Sequence, residues 1–286
     1  MTVPNASVFL IAALTALLSV GGVARAQTQT PDPYAASVTA YTAGTGVAAK
    51  YTNPNAALGE PSRVTPGDFG GPVDPFNAPY LESQLVGIGT GGSLTLHFDT
   101  PIRNDAAHPY GTDFQVYGSS FFVVTNGFDA NFNYIGTPAT DGSVFGDGAA
   151  QTRVSVSADG VTFFTLNPAL APQIKALFPT DGSGDFGKPV NPALKSPDFA
   201  GKTVDGIRAL YSGSGGGAGF DLSWAQDSGG HTVAVDQASF VRIDVVQGKA
   251  EIDGASLIRP YSAVPEPGVW ALATLGLLLL VRVRRN

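Results

Sequence analysis

The chain contains no cysteine. That absence excludes disulfide bonds, thiolate nucleophiles and every metal site that needs sulfur. Histidine is scarce: His97, His108 and His231 are far apart, and none forms the His-x-His or His-x-x-x-His spacing of a zinc site. Each is expected at the surface. Charged residues are only 14% of the 286 positions, whereas there are 36 glycines, 21 prolines and 10% aromatics. This balance predicts many short strands and tight turns rather than helices.

Long apolar runs occur only at the two ends. Residues 8–20 are almost unbroken in their apolarity and lead through Gly21 and Gly22 to Ala24, Arg25 and Ala26, after which the chain turns polar at Gln27. The pattern predicts a signal peptide over residues 1–26, with Ala24 and Ala26 filling the two small pockets of signal peptidase and the cut falling after Ala26. At the other end, Val264, Pro265, Glu266 and Pro267 precede an apolar run from Gly268, and Arg282, Arg284 and Arg285 crowd the terminus. The prolines hold the motif extended, a form that a processing enzyme can grip. The run predicts a transmembrane segment at about residues 268–283, with the arginines anchoring it on the cytoplasmic side.

This order of motif, apolar segment and basic terminus resembles the PEP-CTERM sorting signal of Gram-negative bacteria, whose partner is an exosortase, a transpeptidase-like enzyme. The resemblance covers about the last two dozen residues. It implies recognition at Val264, Pro265, Glu266 and Pro267, cleavage nearby, an inner-membrane-anchored intermediate, and transfer of the body to the cell surface or extracellular matrix. Such proteins are common in bacteria that make exopolysaccharide and biofilm. The competing expectation is an ordinary tail anchor that is never cut.

Between these segments, residues 27–263 predict a single domain. Setting aside Arg25, Arg282, Arg284, Arg285 and Glu266 from totals of 16 basic and 23 acidic residues leaves 12 and 22, a net charge of −10. Such a body repels nucleic acid. Period-two alternation marks strands at residues 93–98, 113–117, 121–124 and 152–157, with turns at residues 99–102 and at Asp159-Gly160, the second leading into a strand over residues 161–165. Further strands are predicted at residues 203–210, 220–224, 239–246 and 255–259, and an edge strand lies within residues 34–51. Phe240, Ile243 and Val245 share no single face, which predicts a bulge. Residues 168–178 are the best helical candidate. The expected fold is an all-β antiparallel sandwich, jelly-roll-like, with one short helix and long Gly/Pro-rich loops; barrel closure is the alternative. Asn55 to Pro61, Gly91 to Leu96, Asp113 to Tyr117, Val154 to Gly160 and Phe220 to Leu222 together resemble exported bacterial surface domains with a discoidin-like jelly-roll body, a resemblance that implies no catalytic residues.

Candidate chemistry is sparse. A glycosidase needs two carboxylates about 5–10 Å apart, but Glu60, Glu82 and Glu251 lie in or beside predicted turns, and most aspartates precede glycine, as turn residues do. Asp181, Ser183 and Asp185 alternate with glycines like the start of an EF-hand, yet the twelfth position is Pro192 rather than Glu. That excludes a full EF-hand; the expectation is no cofactor and no metal, with a looser structural calcium site in this loop as the alternative. Tyr80, Tyr110, Phe128, Phe132 and Tyr134 sit in predicted loops where they could stack on sugar rings. The expectation is a non-enzymatic exported surface or matrix protein, with a carbohydrate-binding module for exopolysaccharide as the alternative and a polysaccharide hydrolase as the third reading.

Overall fold

The computed structural model describes residues 32–259, apart from residues 69, 128, 132–133, 146–149 and 175–177. The signal-peptide residues Ala24 and Ala26, the sorting motif Val264, Pro265, Glu266 and Pro267, the apolar tail and Arg282, Arg284 and Arg285 lie outside the described residues. Among the described residues no helix is long and apolar enough to cross a membrane.

In chain order the strands are β1 (Ser37–Thr42), β2 (Val64–Thr65), β3 (Gly71–Pro72), β4 (Val86–Gly89), β5 (Ser93–Arg103), β6 (Phe114–Gly118), β7 (Phe121–Val124), β8 (Thr140–Phe145), β9 (Ala150–Ser157), β10 (Phe164–Leu166), β11 (Ala218–Phe220), β12 (Ala225–Gln226) and β13 (Gln237–Leu257). Two short helices, α1 (Ser196–Phe199) and α2 (Val204–Tyr211), interrupt them. The protein is an all-β, antiparallel, sandwich-like fold organised around the 21-residue β13. Its first half pairs with β5 and β9, in a layer ordered β1-β5-β13-β9-β10-β12. Its second half pairs with β4 and β6, and β6 carries β11. The change of layer falls at Gly248, where φ is +78°, and irregularities at Ala238/Phe240, Val245/Gln247 and Ile252/Gly254 let one strand serve both layers.

Both layers face one core. Leu94, Leu96, Val154, Val156, Val241 and Ile243 meet Val86, Ile88, Phe114, Val116, Phe220 and Ile252, all nearly or fully buried. A second, smaller core packs Phe76, Phe122, Val190, Phe199, Ile207 and Tyr211 beneath α1 and α2.

Several sequence expectations are corrected. Residues 203–210 form α2 rather than a strand: Ile207 and Tyr211, four apart, point into the second core, and the Thr203 side chain accepts a hydrogen bond from the Gly206 amide at 3.4 Å. The helix expected over residues 168–178 is replaced in its described part by turns. Pro172 removes an amide donor there, and although Ile174 is buried in the main core, Leu170 is 56% exposed, so the two do not share one buried helical face. Residues 99–102 continue β5 instead of ending it, because Ile102 still pairs with β13 at Ala238. The two strands expected after residue 239 are one, and β11 stops at Phe220, where Asp221 caps a single 3-10 turn over Leu222–Trp224. The expected hairpin after β9 exists, but its loop runs through residue 163, with the Asp159 carboxylate accepting from the Val161 and Thr162 amides.

Candidate functional site

Alternation along β6 turns Phe114 and Val116 into the sandwich core and leaves Gln115 and Tyr117 on the outer face of the layer. Loops cover that face, so all five residues of β6 are buried. Tyr117 donates its hydroxyl to the Phe186 carbonyl at 2.8 Å, and Ser256 Oγ donates to the same oxygen. Burial pushes the Tyr117 phenol well above its ordinary pKa. Gln115 donates Nε2 to Tyr117 Oη and to the Phe186 carbonyl at 3.3 Å. Since a carbonyl can only accept, the amide cannot turn the other way. Gln115 Oε1 then has no partner, a state that among the buried side-chain polar atoms of the described residues only Thr65 Oγ1 shares. A buried acceptor left unmatched costs about 1–3 kcal/mol.

Gln115 lines a cleft of about 310 Å³ whose walls include Tyr110, Phe178 and Trp224. Two of these adopt a left-handed backbone, Tyr110 at φ +60° and Phe178 at φ +77°, at a cost of about 1–3 kcal/mol each for residues with a side chain. The surroundings impose the Tyr110 conformation. His108 Nδ1 and Asp113 Oδ1 form a buried 2.8 Å contact, Asp113 also accepts from the Leu222 and Asp105 amides, and the Gly111 amide closes the turn on the His108 carbonyl at 3.0 Å. Burial raises the Asp113 pKa, with the amide and imidazole contacts opposing it. The result is a rigid turn that leaves the Tyr110 side chain 57% exposed.

A second cleft, of about 330 Å³, is lined by Tyr51, Phe76, Tyr80, Phe121 and Phe145 together with Glu251 and Ser119. Phe121 and Phe145 stack with centroids 4.9 Å apart, the Tyr51 hydroxyl donates to the Tyr80 carbonyl at 2.6 Å, and Ser119 Oγ donates to the Glu251 carboxylate. Tyr80 is 40% and Phe145 63% exposed. Glu251 is the one carboxylate among the described residues lining this cleft.

The structure thus brings Tyr80 and Tyr110 to different clefts and leaves Tyr134 exposed in neither; Phe128 and Phe132 lie outside the described residues. Of the glutamates, Glu60 pairs with Arg63 and Tyr34, Glu82 is exposed in the loop before β4, and Glu251 borders the second cleft. His231 is exposed beside Asp227 and His97 is half-buried against Phe240, but His108 is buried, because Asp113 supplies the partner that burial demands. In the loop whose Asp–Ser–Asp alternation resembles the start of a calcium loop, Asp181 is held by Arg208 (Nε to Oδ2, 2.8 Å) and Asp185 by Arg259. Among the described residues no three His, Asp or Glu side chains converge on a metal position. Sequence patterns missed Gln115, Trp224 and Phe145, and only the aromatic content of those stretches hinted at the clefts.

Neither the protein-family models nor the curated proteins contain a match to this chain.

Proposed function

We propose that this chain is a non-enzymatic protein exported by its signal peptide and sorted through a PEP-CTERM tail to the cell surface or extracellular matrix, passing through an inner-membrane-anchored intermediate. One observation carries the reading: Val264, Pro265, Glu266 and Pro267, an apolar run, and Arg282, Arg284 and Arg285 follow one another at the chain end. A signal peptidase and an exosortase are the implied partners, and the acidic body is no ligand for nucleic acid. The test is intact mass and fractionation in two hosts, one carrying an exosortase and one lacking it. Loss of the tail near Val264 only in the first host is expected. An uncut, membrane-bound chain in both would make the segment an ordinary anchor.

The second reading is a carbohydrate-binding module for exopolysaccharide. Two clefts walled by aromatic side chains favour it, since pyranose faces are apolar and their edges carry hydroxyls that need polar partners. Hydrolysis is a weaker reading, because Glu251 has no second carboxylate beside it among the described lining residues. Binding on a glycan array separates the module from a purely structural protein.

A further inference from the structure

We propose that, while the tail still anchors the chain, the end of the sandwich that carries Tyr110, Leu170 and Trp224 rests on the headgroup region of the bilayer. The inference rests on the tail entering the membrane, which sorting and plain anchoring share, and not on cleavage. Both ends of the described chain meet at this end of the fold. The Leu257 amide donates to the Pro33 carbonyl at 2.8 Å, the Ile258 amide to the Asp113 carbonyl at 3.0 Å and the Arg259 amide to the Gly187 carbonyl at 2.9 Å. Only the eight residues 260–267 separate Arg259 from Gly268, where the apolar run begins. At full extension they span about 29 Å at most, so the anchored body cannot stand far from the lipid.

The same end presents an apolar surface. Tyr110 lies three residues before Asp113, so its Cα stands within about 11 Å of the residue that holds Ile258. Phe220 pairs in register with Phe114 at this end of β11, and Trp224 follows in the capped 3-10 turn. The Asn167 amide donates to the Trp224 carbonyl at 2.8 Å, and Leu170 lines the same cleft as Tyr110 and Trp224. Tyr110 and Leu170 are exposed and Trp224 is half-buried. The strained turn at Tyr110, fixed by the buried His108–Asp113 contact, holds a large aromatic side chain out in water, a cost that an amphipathic partner offsets. Tyrosine and tryptophan, each with an apolar ring and a polar tip, settle at the headgroup level of a bilayer. A body with a net charge of −10 over residues 27–263 is repelled by anionic headgroups, so contact falls to such side chains rather than to charge. The tether makes weak contact sufficient, because a short linker holds the two surfaces at an effective concentration on the order of millimolar. The second cleft, beside Ser119 past the Gly118 end of β6, lies at the other end of that strand and stays clear of the bilayer for a ligand.

The test uses the full chain in vesicles of phosphatidylethanolamine and phosphatidylglycerol with a nitroxide on a fraction of the headgroups. The chain has no cysteine, so one introduced thiol carries a fluorophore to a single place. Ser223→Cys, exposed beside Trp224, reports on the proposed surface. Thr90→Cys, exposed next to the Gly89–Lys249 pair, reports from eight residues back along β13 from Leu257, about 27 Å away. The expected result is quenching at Ser223 about threefold or more above that at Thr90, reduced by half or more when Tyr110→Asn or Leu170→Asn is added. Both replaced side chains are exposed and asparagine tolerates the left-handed backbone at Tyr110, so an unchanged melting midpoint is expected, and either variant alone answers the question. Quenching at Ser223 no greater than at Thr90 would overturn the proposal and give the patch to another occupant, a glycan or a second copy. Strong quenching at Ser223 that neither variant reduces would also overturn it, because the tether alone would then bring this end to the lipid. A chain that does not float with the vesicles would remove the anchored intermediate and this surface together.

Discussion

Asp253 shows how one side chain sets a pH dependence. It is buried in β13, and its carboxylate accepts from the Ser62 amide at 2.8 Å and the Ser62 hydroxyl at 2.6 Å. Burial pushes its pKa up to about 6, with the two hydrogen bonds opposing. In the unfolded chain the same group titrates near 4, at about 3.9. Between these values the folded state holds the extra proton, so the stability contributed by Asp253 is fully present below about pH 4 and is lost as pH rises through about 6. The difference of about two units corresponds to about 3 kcal/mol at most. Asp253→Asn keeps an acceptor for the Ser62 amide and cannot ionise. Urea unfolding at pH 4.5 and pH 7 should therefore show a smaller loss in the variant than in the parent, and an equal loss in both would remove Asp253 as the cause.

The decisive elements are β13 and the loop between β10 and α1. Gly248 turns β13 from one layer to the other at φ +78°, a conformation that a β-branched side chain resists by about 1–2 kcal/mol. Gly248→Val should lower stability by that amount or more and speed amide exchange in both β4 and β9, which pair with the two halves of the strand. Faster exchange on one side only would show that the layers do not share a hinge there. In the loop, Asp181 and Asp185 already have arginine partners, Arg208 and Arg259. Removing calcium with a chelator should leave the melting midpoint unchanged, whereas Arg208→Ala should cost about 2–3 kcal/mol by stranding the buried Asp181 carboxylate, a figure reduced from the fully buried case because Arg208 is 37% exposed. A midpoint that falls in chelator would restore a calcium site. Residues 168–178 and 203–210 explain why local pattern misassigned helix and strand. Val204, Ile207, Leu210 and Tyr211 suit either structure by composition, and only the second core decided that their helical face was the one to bury.

At the scale of the whole molecule, charge and the absence of cysteine govern behaviour. With a net charge of −10 over residues 27–263 the body should bind an anion exchanger and pass through a heparin column at neutral pH and low salt. Retention on heparin would point to a basic patch that the net charge hides. With no disulfide available, reducing agent should leave the melting midpoint untouched, and stability rests on the sandwich core and the smaller core beside it.

Composition and alternation by themselves determined that the protein is all-β, that β5, β6 and β9 are strands, that β13 carries a bulge, and that Asp–Gly pairs such as Asp159-Gly160 make turns. These are local preferences, set by steric fit to a pleated surface and by short-range hydrogen bonds, and a single sequence records them. The order of residues at the two ends determined the proposed address in the same way. The tertiary structure alone decided that β13 joins both layers, that Gln115 loses its solvent and keeps a free acceptor, and that Tyr110 and Tyr80 face separate clefts. Each depends on residues more than a hundred positions apart, such as Gln115 with Gly219 or Ser119 with Glu251, and contacts at that range leave no periodicity in the chain.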